Sequence, residues 1–177
     1  MQLPTLILTV ATLLFPACAS ACVVPFIVLN GVNYAFRLQV QSPTHPSIDG
    51  RYVNFVGVGT PGDYRSVLAP AGAAMRVGFR DKKLSLAGMK HTAYLQSGGG
   101  SEQRVSFVIA PSTPLQVMAR YACDENDKQQ LVLVPLDAAG ESGGKQFCVK
   151  KKAGEYGLYV KPLDDKGEIS NQCSKHR

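Results

Sequence analysis

Two cysteines near the start of the chain are the first residues whose spacing suggests chemistry. Cys18 and Cys22 lie four residues apart in the stretch "ACASACVVPF", residues 17–26. Such a pair suits two metal ligands, one end of a disulfide or a processing site. The charge-free apolar run before the pair favours processing, because exported proteins carry such a run ahead of their cleavage site.

The start of the chain has the features of a signal peptide. "LILTVATLLF" has the length of a signal-peptide core and is too short to span a bilayer. The small-x-small sequence Ala19-Ser20-Ala21 then predicts a signal peptide over 1–21 and a secreted domain over 22–177. The amino-terminal end lacks Lys and Arg, which leaves a signal anchor as an alternative. A lipoprotein signal is another, although no leucine stands three residues before Cys22.

Cleavage there would leave four cysteines: Cys22, Cys123, Cys148 and Cys173. An even number in an oxidising compartment predicts two disulfides, for which three pairings exist. We favour Cys148–Cys173, which closes a short local loop, together with Cys22–Cys123, which ties down the mature amino terminus. The mature chain has no C-x-x-C pair, so the sequence predicts no metal site at the cysteines.

The three histidines do not combine with a recognisable nucleophile. His45, His91 and His176 could each act as a base, but the chain has no G-x-S-x-G motif. A cysteine in a disulfide offers no thiolate. The acidic residues fall in turns, which is typical of turn formers and surface charge rather than of paired catalytic carboxylates. The sequence therefore predicts a protein that is not an enzyme and has no cofactor, and a hydrolase with an unfamiliar site around His45 or His91 is the alternative.

One acidic loop, "CDENDKQQ", contains side chains that suit calcium. Asp124, Asn126 and Asp127 supply oxygen ligands. The loop lacks the glycine and the final glutamate of an EF-hand, so an ordinary hairpin turn is the favoured interpretation. We therefore expect no metal in this loop.

The elements that would position any site are β-strands. Apolar residues alternate with polar ones in "NYAFRLQVQ", "RVSFVIA", "PLQVMARYAC" and "YGLYVK", the period of half-buried antiparallel strands. "LVLVPL", residues 131–136, is nearly continuous and predicts a strand buried on both faces. Turn sequences separate these segments, and no capped stretch of helical period appears. We expect a single all-β domain, an antiparallel sandwich or a small barrel stabilised by disulfides.

The formal charge of +6 is concentrated late in the chain, most densely in "VKKKAGEYG". Lys150, Lys151 and Lys152 there predict either attraction to an anionic surface or acidic polysaccharide, or a solvated hairpin whose lysines protect an edge strand. Without any Trp, the best surface aromatics are Tyr159, which has the opposite parity to its apolar neighbours, and Tyr64 in a polar turn.

Several classes of partner are disfavoured by the sequence. Nucleic acid does not fit an exported chain that lacks a basic groove interleaved with aromatics. After the first residues no stretch is long and apolar enough to predict a transmembrane segment. The sequence leaves the oligomeric state open.

The second half of the chain carries a family resemblance. "VSFVIAPSTPLQV" followed by "QFCVKKKAGEYGLYVKPLDDKGEISNQC" resembles small secreted fungal cell-wall proteins of the phialide-associated and IgE-binding type. "FRLQV" is similar to their first strand. The resemblance implies a sandwich-like secreted or wall-associated protein with no established catalytic site. The expected function is accordingly that of a non-catalytic extracellular or cell-wall protein, and the alternative is an effector-like or antimicrobial protein that binds anionic surfaces or polysaccharide through the basic patch.

Overall fold

The computed structural model describes residues 22–60, 62–97, 101–124 and 126–163. In these ranges the chain forms twelve strands and a single 3₁₀ turn, Ala71–Ala73, and every paired strand is antiparallel. The strands are β1 Val28–Leu29, β2 Val32–Phe36, β3 Tyr52–Gly57, β4 Tyr64–Ala69, β5 Val77–Arg80, β6 Lys83–Leu86, β7 His91–Ser97, β8 Gln103–Ile109, β9 Val117–Cys123, β10 Gln129–Pro135, β11 Lys145–Lys152 and β12 Glu155–Pro162. The antiparallel all-β prediction is confirmed.

The strands form two sheets. The smaller has the order β1-β9-β10, and the larger follows the path β11-β12-β8-β7-β6-β5-β2. The β3–β4 hairpin joins the larger sheet because β4 also pairs with β8. One edge of β8 therefore serves two strands: β12 pairs at Gln103 and Arg104, and β4 pairs at Ser106 and Phe107.

A fully buried serine joins the two strands at this fork in the sheet. The Ser66 hydroxyl donates to the carbonyl oxygen of Leu158 at 3.1 Å and accepts from the amide of Leu158 at 3.2 Å. The guanidinium of Arg104 donates through Nη2 to the carbonyl oxygen of Ser66 at 2.6 Å. These bonds supply partners for backbone groups that would otherwise lack them where the two strands meet.

The main core lies between the two sheets, in a sandwich-like arrangement. Alternate residues of the larger sheet point inward, among them Phe107, whose ring meets Phe55 edge to face with centroids 4.5 Å apart. Val117 and Ala119 on β9 enter the same cluster from the smaller sheet. Period-two alternation thus places one face of each sheet in the core.

The structure contains the predicted disulfide between Cys22 and Cys123, which joins positions 101 residues apart. It fixes the start of the described chain to the end of β9. The other predicted bridge, Cys148–Cys173, includes a residue outside the described ranges, although Cys148 is itself disulfide-bonded. The predicted signal peptide, 1–21, also lies outside them.

The prediction for residues 131–136 is wrong in its burial. The strand forms, as β10, but Leu131 to Val134 are all only partly buried. These residues are only partly buried because β10 is an edge strand of the smaller sheet and only one of its faces packs against the core. Among the described residues, no helix is long and apolar enough to cross a membrane.

Candidate functional site: the basic hairpin tip

The three predicted lysines lie at the end of the β11–β12 hairpin. Lys152 pairs directly with Glu155, and the two residues between them, Ala153 and Gly154, both have positive φ, at 50° and 85°. This is the backbone that a tight two-residue hairpin turn requires. We call residues 150–156 the hairpin tip. Because β11 ends the path of the larger sheet, the lysines lie on an edge strand, as one of the two interpretations predicted.

Lys150 differs from the other two lysines because its charge has a partner. Its ammonium group forms an ion pair with the carboxylate of Glu102, which is buried, while Lys150 itself is partly buried. A cation held in this way is less available to an external anion, since binding would have to compete with a close carboxylate.

Lys151 and Lys152 are exposed and make no ion pair within the described part of the chain. The ammonium of Lys151 lies 5.3 Å from the centroid of the Tyr156 ring, directly across the hairpin. The guanidinium of Arg51 lies 5.9 Å from the same centroid. Two cations, Lys151 and Arg51, therefore lie around one aromatic ring, close enough for cation–π attraction.

Sequence reasoning missed Arg51 and Tyr156. The pairing of Lys151 with Tyr156 could have been found, because a two-residue turn at Ala153-Gly154 sets that register. Arg51 immediately precedes β3, about a hundred residues earlier, and no local pattern points to the hairpin. Arg51 approaches Tyr156 because β3 pairs with β4, and β4 and β12 both pair with the same edge of β8. These pairings join distant parts of the chain.

A second ion pair lies beside the tip. Arg65 on β4 reaches Glu155 with a nitrogen–oxygen distance of 2.9 Å, and both side chains are well exposed. Exposed pairs of this kind contribute little to stability. The pair does neutralise Glu155, so the nearest carboxylate on the hairpin does not cancel the charges of Lys151 and Lys152.

The prediction that Tyr159 is a surface aromatic is wrong. Tyr159 is only 5 % exposed and packs with Cys148, with the Arg104 guanidinium 5.7 Å from its ring centroid. Its parity does place it opposite the main core, but that face of the sheet is covered as well. Tyr64 is partly buried against the core, and its ring meets His91 edge to face at 5.1 Å. Neither ring provides an open stacking platform.

The two histidines in the described ranges, His45 and His91, do not lie beside a nucleophile and an orienting carboxylate. His45 Nδ1 lies 3.1 Å from the Ser42 hydroxyl and 2.9 Å from the Thr44 hydroxyl, within one turn. Ser42 is fully buried, and Asp49 accepts from its backbone amide rather than from the histidine. His91 has both ring nitrogens buried without a hydrogen bond. His176 lies outside the described ranges.

The acidic loop forms the turn between β9 and β10. Asp124 Oδ1 accepts from the backbone amides of Asn126 at 2.9 Å and Lys128 at 2.8 Å, so its carboxylate stabilises its own turn. Asp127 has a positive φ of 55° in that turn. The described residues include no group of three or more His, Cys, Asp or Glu side chains placed to hold a metal ion.

A small open cleft lies beside this turn, with a volume of about 180 Å³. Polar side chains line it, including Gln39, Asp49, Asp124 and Asn126.

On another part of the larger sheet, burial and the negative charge of Asp63 raise the pKa of Tyr94 above 10.0, so this phenol stays neutral at physiological pH. Neither feature brings a nucleophile and a base together.

No protein-family model, no curated protein and no solved structure matches this chain. The resemblance to fungal cell-wall proteins therefore stays a prediction, carried by the sequence segments quoted above.

Proposed function

We propose that this chain is a non-catalytic secreted protein of the extracellular space or the cell wall, built as a disulfide-stabilised β-sandwich. The Cys22–Cys123 bridge is the observation that carries the proposal. Bridges of this kind form and persist in oxidising compartments and are rare in the cytosol. Cys22 is also the residue that the predicted cleavage would leave first in the mature chain, so its bridge ties down what would otherwise be a loose end.

The bridge also stabilises the folded domain. Closing a loop of about a hundred residues lowers the entropy of the unfolded chain, which in the loop-closure model contributes about 4–5 kcal/mol. Secreted proteins often unfold irreversibly, and a bridge that raises the free energy of unfolding reduces this loss.

A second candidate function is supported by the hairpin tip. Arg51, Lys151 and Lys152 are exposed cations, and the first two both approach the Tyr156 ring. The nearest hairpin carboxylate, Glu155, is paired with Arg65. Such a group attracts acidic polysaccharide or an anionic membrane surface, and the attraction weakens as salt screens it. In this proposal Lys150 contributes less, because Glu102 holds it.

Secretion is tested by expressing the full chain in a secretory host and comparing culture medium, cell wall and cytosol. The proposal expects the protein in the medium or in a wall fraction, with its amino terminus at Cys22. Accumulation in the cytosol with reduced cysteines would contradict it. The variant Cys22→Ser/Cys123→Ser should be secreted in lower yield, because its folded state loses the bridge.

Surface binding is tested with vesicles containing phosphatidylserine and with an acidic polysaccharide, each over a salt series. The variant Arg51→Gln/Lys151→Gln/Lys152→Gln should lose at least about tenfold in affinity at low salt. The matched control Lys83→Gln/Lys90→Gln/Lys128→Gln removes the same charge from exposed positions on other elements. Equal losses in both variants would assign binding to net charge alone, and binding that is insensitive to salt would contradict the electrostatic proposal.

A further inference from the structure

The face of β11 and β12 that points away from the main core is buried. Alternation sends Leu158 and Val160 into the core, which leaves Tyr159 and Lys161 on the opposite side. We call this side, together with the aligned residues of β11 and those at and just before the start of β8, the outer face. Its members are nearly inaccessible: Glu102 is 4 % exposed, Gln146 7 %, Cys148 2 %, Tyr159 5 % and Lys161 6 %.

Several polar groups on the outer face have unmet hydrogen bonds. Both amide atoms of the Gln146 side chain are buried without a partner, as are Oε1 of Glu102 and Nε of Arg104. Lys161 forms no ion pair within the described ranges. Buried polar groups in native proteins are almost always hydrogen-bonded, so these groups indicate a polar covering layer.

The described strands do not supply that layer. The smaller sheet packs on the other side, where β9 joins Leu158 and Val160 in the core. The chain nevertheless has a covalent attachment on the outer face, because Cys148 is disulfide-bonded. Cys22 and Cys123 bond to each other, so the partner of Cys148 lies outside the described ranges.

We infer that the outer face is the docking surface for the chain's own carboxyl-terminal segment, residues 164–177, fastened by a bond between Cys148 and Cys173. The segment begins two residues after the end of β12 and three after Lys161. Its first part, "DDKGE", carries three acids that complement Arg104 and Lys161. Its backbone and polar side chains are the kind of partners that Gln146 and Glu102 lack.

The chain length is sufficient for this path. Cys148 pairs with Tyr159, four residues back along β12 from Leu163, which is roughly 13 Å at the rise of a β-strand. The ten residues from Leu163 to Cys173 span up to about 33 Å. Cys18 is the poorer partner, because Cys22 is fixed to the end of β9 on the other sheet, with the core between that sheet and Cys148.

The docking is tested by labelling the folded full-length protein with an amine-reactive reagent. Lys152, exposed on the same hairpin, is the internal reference for Lys161. We expect Lys161 to be labelled at least about tenfold more slowly than Lys152 in the wild type, and the difference to shrink in Cys173→Ser. The variant Asp164→Asn/Asp165→Asn/Glu168→Gln, which keeps the bridge, should show a smaller increase at Lys161.

The matched control is Cys22→Ser/Cys123→Ser, which removes the other bridge and should leave Lys161 protected. A folded Cys173→Ser protein with Lys161 still protected would overturn the proposal. So would protection that disappears when the wild type is diluted, because the cover would then be a second copy of the chain. If Cys173→Ser does not fold, non-reducing peptide mapping of the wild type decides: a Cys148–Cys173 peptide supports the docking, and a Cys148 peptide with any other partner overturns it.

Discussion

The two faces of β12 are both buried, but they are buried by different chemistry. On the core face, Leu158 and Val160 pack among apolar side chains from both sheets. On the outer face, Tyr159 and Lys161 lie among an amide, a carboxylate and a guanidinium, several of them without partners. The comparison shows that alternation along a strand identifies the apolar face correctly but does not establish that the polar face meets solvent.

The largest expected effect comes from deleting a core-face side chain. Leu158→Ala should lower the free energy of unfolding by about 2–4 kcal/mol, because it removes buried methyl groups and leaves a cavity. Tyr159→Phe, one residue away on the outer face, keeps its ring and should cost less than about 1 kcal/mol. Urea denaturation of both variants measures the difference. Equal losses would mean that the two faces contribute to stability in the same way.

An intermediate effect is expected at Gly157, where the outer face meets the fork in the sheet. A Cβ there would lie 2.9 Å from Nη2 of Arg104 and 3.1 Å from the carbonyl oxygen of Ser66. Gly157→Ala should therefore displace the Arg104 guanidinium and cost about 1–3 kcal/mol. Gly72→Ala is the control, since a Cβ at Gly72 meets nothing within 4 Å. Thermal unfolding measures both variants. Equal melting temperatures for Gly157→Ala and Gly72→Ala would contradict the close packing of Arg104 on β12.

The alternation explains how much the sequence could predict. It correctly indicates the antiparallel strands and the core positions of Leu158, Val160 and Phe107, because burial of one face follows from local pattern. The pairing of Cys22 with Cys123 was predicted from a different signal, the even number of cysteines left after cleavage and the loose end that a bridge at Cys22 would fix, and it is confirmed. The alternation failed at Tyr159, because whether a second face is covered depends on contacts between distant parts of the chain. It missed Arg51 at the hairpin tip for the same reason.

The smallest loss of stability is expected within a comparison of the two ion pairs that involve the hairpin. Glu102→Gln removes a buried carboxylate and leaves Lys150 without its partner, which should cost about 1–3 kcal/mol. Glu155→Gln breaks the exposed pair with Arg65 and should cost less than about 1 kcal/mol. Added salt should reduce the second cost more than the first. Costs in the reverse order would show that the outer face does not hold Glu102 away from water.

The central claim, that this is a secreted β-sandwich held by disulfides, is tested most directly by one mass measurement. The secreted protein is analysed intact, before and after reduction, and its amino-terminal residue is identified. The account predicts a chain that starts at Cys22 and gains four hydrogens on reduction, as two disulfides require. A chain that starts at Ala17 or earlier, or one whose mass does not change on reduction, would contradict it.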